Sequence, residues 1–213
     1  MKIQRFEFNM FGVNTYIIYD PDSLEAAIID PGMVEARECD TIDRFITDNR
    51  LHIKYLLNTH IHIDHVFGDE YVIAKYGVGI SASTDDNILS TRIAEQARMF
   101  HLRVDMPEVL NITTPLNDGD RLQLGNEIID VLAVPGHSPG SLAFYCSQSK
   151  FVITGDALFN MSIGRTDLPG GDYSQLISSI TRKLLTLPTD TTAYPGHGPS
   201  TTIGNEAKFN PYL

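Results

Sequence analysis

The amino-acid sequence predicts an α/β protein in which two sheets carry helices on their outer faces. Three observations predict it. Short apolar runs of strand length alternate with stretches of helical periodicity, Gly, Pro, Asn and Asp clusters punctuate them, and the order strands-then-helices occurs twice along the chain. Periodicity leaves the strand order within the sheets open.

The elements follow in order. Lys2 to Phe8, Gly12 to Tyr19 and Leu24 to Ile29 read as strands, with Pro21-Asp22-Ser23 as the turn before the third. Between Val34 and Asn49, Ile42, Phe45 and Ile46 fall at helical spacing and predict an amphipathic helix. Ile53 to Leu57 is a buried strand that delivers the chain into Asn58-Thr59-His60. Helices are expected over Asp69 to Tyr76 and Thr84 to Phe100, with a short strand near Val78 to Ala82. After the turn Asn117-Asp118-Gly119-Asp120 come strands near Arg121 to Leu124, Glu127 to Val134, Ser141 to Cys146 and Phe151 to Thr154. A helix from Tyr173 to Leu187 and a strand near Thr191 to Tyr194 lead to Pro195-Gly196-His197-Gly198-Pro199.

With 213 residues, 42% hydrophobic and 20% charged, the chain suits one domain over 1–213 with one sizeable core. No segment repeats, and no apolar run approaches the ~20 residues that cross a bilayer. Met1-Lys2-Ile3-Gln4-Arg5-Phe6-Glu7 places an acidic residue where a secretory leader would be apolar, so the expectation is a cytoplasmic protein without a membrane partner. The formal charge of -11 argues against nucleic acid, whose phosphates are bound by Lys and Arg. Cys39 and Cys146 both lie in segments of apolar periodicity and read as core thiols rather than a disulfide or a zinc site.

Histidine placement points to chemistry. With 7 histidines in 213 residues, a six-residue window holds about 0.2 on average, yet His60, His62 and His65 share one, with Asp64 between the last two. The cluster stands at the C-terminal end of an apolar strand, where α/β proteins place ligands. Extended alternation sends His60, His62 and Asp64 to one side, and a local turn then brings in His65. Imidazole and carboxylate together suit zinc, and also iron or manganese. The competing reading is a solvated polar loop.

His137 and His197 sit in glycine-proline turns after strands, and such turns hold a side chain on a backbone with little freedom. Asp156 follows the apolar run Phe151-Val152-Ile153, where a carboxylate is costly unless it is hydrogen-bonded or meets a cation. His52 and His101 have no comparable setting and read as structural.

Thr59-His60-Ile61-His62-Ile63-Asp64-His65 resembles the His-x-His-x-Asp-His signature of the metallo-β-lactamase superfamily, and His137, Asp156 and His197 resemble its later ligands in order and setting. The resemblance spans nearly the whole chain and implies a four-layer αββα sandwich with two metals at one edge between the sheets. It implies His60, His62 and His137 on one metal, Asp64, His65 and His197 on the other, and Asp156 bridging. Ile163-Gly164-Arg165-Thr166-Asp167 through Asp172, and the ending Gly204 to Tyr212, are similar to compact bacterial members of the glyoxalase II-like group, the hydroxyacylglutathione hydrolases. One departure is Val66-Phe67-Gly68-Asp69, where Phe67 stands for a glycine that usually follows the signature. After His197 there is no room for the helical domain that serves glutathione recognition in larger members, so thioester hydrolysis is implied more directly than glutathione.

The expected activity is therefore cleavage of a small-molecule thioester, such as an S-(hydroxyacyl)glutathione, by a hydroxide held between two divalent metals, zinc first among them. Asp64 would orient that hydroxide as well as bind metal. Arg165 would pair with a substrate carboxylate or with an acidic neighbour, and Tyr173 and Lys208 are further substrate-binding candidates. The alternatives are a persulfide dioxygenase-like enzyme with one iron, similar at His60, His62, His137, Asp156 and Gly164-Arg165, and a lactonase. Lactam cleavage is disfavoured because class B1 lactamases resemble one another in using Cys where Asp156 stands. A metal-binding module without catalysis would leave the open coordination positions unused.

Overall fold

The strands alternate so strictly that each sheet buries both faces, and this one fact generates the layers. The computed structural model describes residues 1–104 and 106–213. Its first sheet runs in the order β1 (Lys2–Phe8), β2 (Val13–Tyr19), β3 (Glu25–Ile29), β4 (His52–Leu57), β5 (Ile80–Ala82), β6 (Ile112–Pro115). The second joins β7 (Arg121–Leu124), β8 (Glu127–Ala133), β9 (Leu142–Cys146) and β10 (Phe151–Gly155) to β13 (Thr192–Pro195) and β14 (Thr201–Thr202). A small hairpin of β11 (Leu158–Phe159) and β12 (Ser162–Ile163) stands apart.

Odd and even positions go to different cores. Tyr16, Ile18, Ala27 and Ile29 of the first sheet meet Phe144, Cys146, Phe151 and Ile153 of the second, which forms the layer between the sheets. Their neighbours Ile17, Ala26 and Ile28 face outward onto Ile42 and Ile46 of α1 (Ala36–Asp48) and Val72 of α3 (Asp69–Tyr76). On the far side, Ala143, Val152 and Ala193 pack against Leu176 of α6 (Tyr173–Ser179), Ile180 and Leu184 of the π-helical stretch that continues it, and Ile203 of α7 (Ile203–Phe209). Helix, sheet, sheet, helix is the αββα sandwich expected from the sequence.

Several expected elements differ. The helix expected over Thr84 to Phe100 is a 3-10 turn at Thr84–Asp86 followed by α4 (Asn87–Ser90) and α5 (Ile93–Met99). Two local causes act. Ser90 and Thr91 donate their hydroxyls to the Asn87 carbonyl at the end of α4, and Asp86 turns inward to serve other segments. The extended run from His60 to Asp64 ends at His62, because α2 (Ile63–Val66) begins there and its helical turn carries Asp64 and His65. β6, β11, β12, β14 and α7 were not expected, being short and weakly patterned. Cys146 is buried and Cys39 half-buried, both free. His52 and His101 are exposed, away from the histidine cluster. Among the described residues, no helix is long and apolar enough to cross a membrane.

Candidate metal centre

Strands β4 and β10 serve the same end though they lie in different sheets: each is followed directly by residues of the polar cluster. β4 hands over to Thr59-His60-Ile61-His62 and α2, while β10 hands over to Asp156. β10 and β13 pair in parallel with a register shift after Ile153, so Gly155 opposes Pro195 and the turn with His197 arrives beside Asp156. Gly196 is obligatory there, since a Cβ would stand 2.1 Å from Asp156 Oδ1. Gly136 is equally constrained, with φ of +133° and the Leu176 backbone where a side chain would go, and it places His137.

All seven residues singled out in the sequence converge. His60, His62 and His137 form one group, Asp64, His65 and His197 a second, and Asp156 lies with His60 and His65 in a third. His62 Nδ1 and His137 Nε2 are 2.8 Å apart. His65 Nε2 is 3.6 Å from Asp64 Oδ2 and 3.4 Å from Asp156 Oδ1. His197 Nε2 is 3.2 Å from Asp64 Oδ2, and Asp156 Oδ2 lies 3.6 Å from both His137 Nε2 and His197 Nε2. The Asp156 carboxylate thus reaches both groups. Two ligands ~2.1 Å from a tetrahedral zinc stand roughly 3.4 Å apart, which lies inside the 2.8 to 3.6 Å range of these separations.

Tautomers decide whether the imidazoles are donors or ligands, and the surroundings set four of them. His65 donates from Nδ1 to Asp30 Oδ2 at 3.0 Å, His137 from Nδ1 to the Arg165 carbonyl at 2.8 Å, and His197 from Nδ1 to the Phe11 carbonyl at 3.1 Å. Thr59 spends its hydroxyl proton on Asp30, so its oxygen accepts from His60 Nδ1 at 3.0 Å. In each ring the Nε2 lone pair is left facing the cluster. His62 differs: its Nδ1 faces the cluster, and nothing outside sets its tautomer.

The fit to cations rests on orphaned atoms. His60 Nε2, His65 Nε2 and Asp156 Oδ1 face the cluster buried and without any hydrogen-bond partner among the described residues. Leaving such groups unpaired is costly, and a cation removes the cost. The electrostatics agree. Burial and the neighbouring imidazoles push His62 down to about 3 and His60 well below its ordinary range, so both are neutral lone-pair donors. Burial alone would raise Asp156 and Asp64, but His65 and its companion imidazoles outweigh it and hold both carboxylates down, ionised.

Three buried residues that support this cluster were missed in the sequence. Asp30, at φ +50°, accepts from Thr59 N, Thr59 Oγ1 and His65 Nδ1. A signal existed: Asp30 follows the apolar strand β3 just as Asp156 follows β10. Asp86 accepts from Ile61 N, Gly140 N and Ser138 Oγ, tying the first histidine loop to the turn with His137. Gln96 accepts from Ile63 N and donates to the Ile61 carbonyl. No sequence signal marks these two.

A cavity of about 400 Å³ opens over the cluster. Its walls are Phe11, Ile63, Phe100, Phe159, Ile163 and Leu168, with His62, Asp64, His137, Asp156 and His197 at the base and Arg165 and Ser162 at the side. Phe67, the residue in place of a glycine, stacks on Phe11 at 6.5 Å and so backs one wall. Of the three substrate-binding candidates, Arg165 lines the cavity, its guanidinium engaged by Asp167. Tyr173 is exposed at the start of α6 and Lys208 stands over the Phe209 ring, and neither lines the cavity.

A family model for the metallo-beta-lactamase superfamily matches residues 9–197. The chain belongs to the metallo-beta-lactamase superfamily. Among its relatives in the superfamily is the hydroxyacylglutathione hydrolase GloC of Haemophilus influenzae, 40% identical over 100% of this chain and 98% of that one. Two solved structures are similar. One is the BLEG-1 B3 metallo-beta-lactamase, with a TM-score of 0.88 and 32% identity, covering 100% of this chain and 99% of the other. The other is TTHA1623 in a di-iron-bound form, with a TM-score of 0.86 and 34% identity, covering 99% and 100%. The superfamily and the His/Asp cluster together make this chain a metal-dependent hydrolase.

Proposed function

We propose that the chain hydrolyses small-molecule thioesters with two divalent metals, zinc ahead of iron or manganese. The observation that carries this reading is the place of Asp156 between two groups of imidazoles, each with enough lone pairs for its own cation. His60, His62 and His137 would hold the first, Asp64, His65 and His197 the second, and Asp156 both. Such a pair, when bound, supplies Lewis acidity and brings the pKa of a water down toward neutrality. Asp64 lies at the cavity base beside His197 and stays ionised, so it accepts a hydrogen bond from the attacking water and orients it. The apolar walls thin out bulk water around the carbonyl and strengthen every electrostatic contact at the base. A thiolate is a good leaving group, so no strong general acid is required of the chain.

The likeness to GloC supports thioester cleavage; the likeness to BLEG-1 supports lactam cleavage as a second reading. The argument from class B1 cysteine does not reach that neighbour, which is called a B3 enzyme. A mono-iron persulfide dioxygenase would leave Asp64, His65 and His197 without a cation. One panel of thioesters, lactones, a β-lactam and a persulfide, assayed with oxygen uptake on protein of measured metal content, separates these. Thioester turnover without oxygen uptake is expected. Turnover of the lactam alone, or oxygen uptake with persulfide, refutes the proposal.

A further inference from the structure

Arg165 holds the cavity's one cationic side chain among the described lining residues, and it is already spoken for. Its Nε donates to Asp167 Oδ1 and its Nη2 to Asp167 Oδ2, both at 2.7 Å, a bidentate pair that uses the fork a substrate carboxylate would need. The pair is not free to wander far, because the Arg165 carbonyl accepts from His137 Nδ1 and ties this loop to the metal cluster. The guanidinium draws Asp167 down to about 2, so the partner is ionised across the whole working range. Around it the walls are Phe11, Phe100, Phe159 and Leu168. The site thus offers apolar surface and a guanidinium already paired, which is poor ground for a thiol carrier whose carboxylates need a free fork.

We infer that Asp167 is a specificity-determining residue that withholds Arg165 from carboxylates, so that the cavity takes apolar acyl thioesters of carriers without net negative charge. This rests on the thioester reading, although the binding measurement below does not. An exposed ion pair is a weak competitor, so the gate is of modest size: releasing Arg165 changes selectivity severalfold rather than by orders of magnitude.

The test compares wild type with Asp167→Ala, both at measured metal content. Phenylacetyl thioesters of uncharged N-acetylcysteamine and of glutathione are assayed for kcat/KM, and S-methylglutathione, which cannot be hydrolysed, is titrated by calorimetry. Wild type is expected to prefer the uncharged carrier at least fivefold. In Asp167→Ala the glutathione thioester should gain about three- to fivefold and S-methylglutathione should bind more tightly by a similar factor, with the N-acetylcysteamine thioester unchanged. A wild-type preference for the glutathione thioester, or S-methylglutathione binding that Asp167→Ala leaves unaltered, overturns the inference. If neither thioester is cleaved, the thioester reading falls, while the S-methylglutathione titration still decides the role of Asp167.

Discussion

His65 donates from Nδ1 to Asp30 Oδ2 across 3.0 Å, with both side chains sealed from solvent. Asp30 does more than fill space, since the same oxygen accepts from Thr59 Oγ1, which in turn orients His60. One carboxylate therefore sets two imidazoles, one in each proposed metal group. Outer partners of this kind are worth about 10–100-fold in metal affinity. Asp30→Ala should weaken metal binding by that order, read from chelator competition, with the loss shared by both ions. Unchanged affinity would mean that the rings are aligned by packing alone.

Asp86 joins two segments distant in sequence, through Ile61 N of one and Ser138 Oγ and Gly140 N of the other, at 3.0, 2.9 and 2.6 Å. Burial pushes its carboxyl up despite these donors, yet without it the donors are buried and unpaired. Each such loss costs ~1–3 kcal/mol. Asp86→Ala should lose about 3 kcal/mol of stability in denaturant melts of the metal-free protein, and Asp86→Asn should lose less. Equal stability for all three proteins would remove Asp86 from the account.

The two metal groups should respond differently to acid. In the metal-free protein burial would lower His65 and His197, but Asp64, Asp156 and, at His65, Asp30 outweigh it and raise both. His60 and His62 go the other way. For the raised pair, the stability gained by protonation is full below the ordinary 6.5 and is lost as pH climbs through the folded-state value. Protons therefore compete with metal at His65 and His197 and hardly at His60 and His62. On acidification one ion should leave before the other, and calorimetry near neutrality in two buffers should show proton release on binding. Simultaneous loss of both, without proton release, would contradict this.

Legibility in the sequence followed the range of the interactions. β2, β3, β9 and β10 are legible as short, mostly apolar runs, because burial on both faces leaves no polar side to interrupt them. His60 to His65 were visible as a cluster, and His137, Asp156 and His197 as polar residues closing strands or tight turns. What stayed hidden depends on segments meeting in space. Asp86 looked like part of a long helix, yet its carboxylate answers donors at positions 61, 138 and 140, and the helix breaks around it. The cavity wall is drawn from Phe11, Phe100 and Phe159, which share no motif. Arg165 was legible as a cation with two possible partners, and the local Asp167 is the one it meets.

The central claim is that Asp156 binds two cations at once, and metal counting on purified protein tests it most directly. Wild type should hold two equivalents of divalent metal per chain, and Asp156→Ala should lose metal and thioesterase activity together. Full metal content and full activity in Asp156→Ala, or a wild type that never exceeds one equivalent under metal excess, would contradict the account.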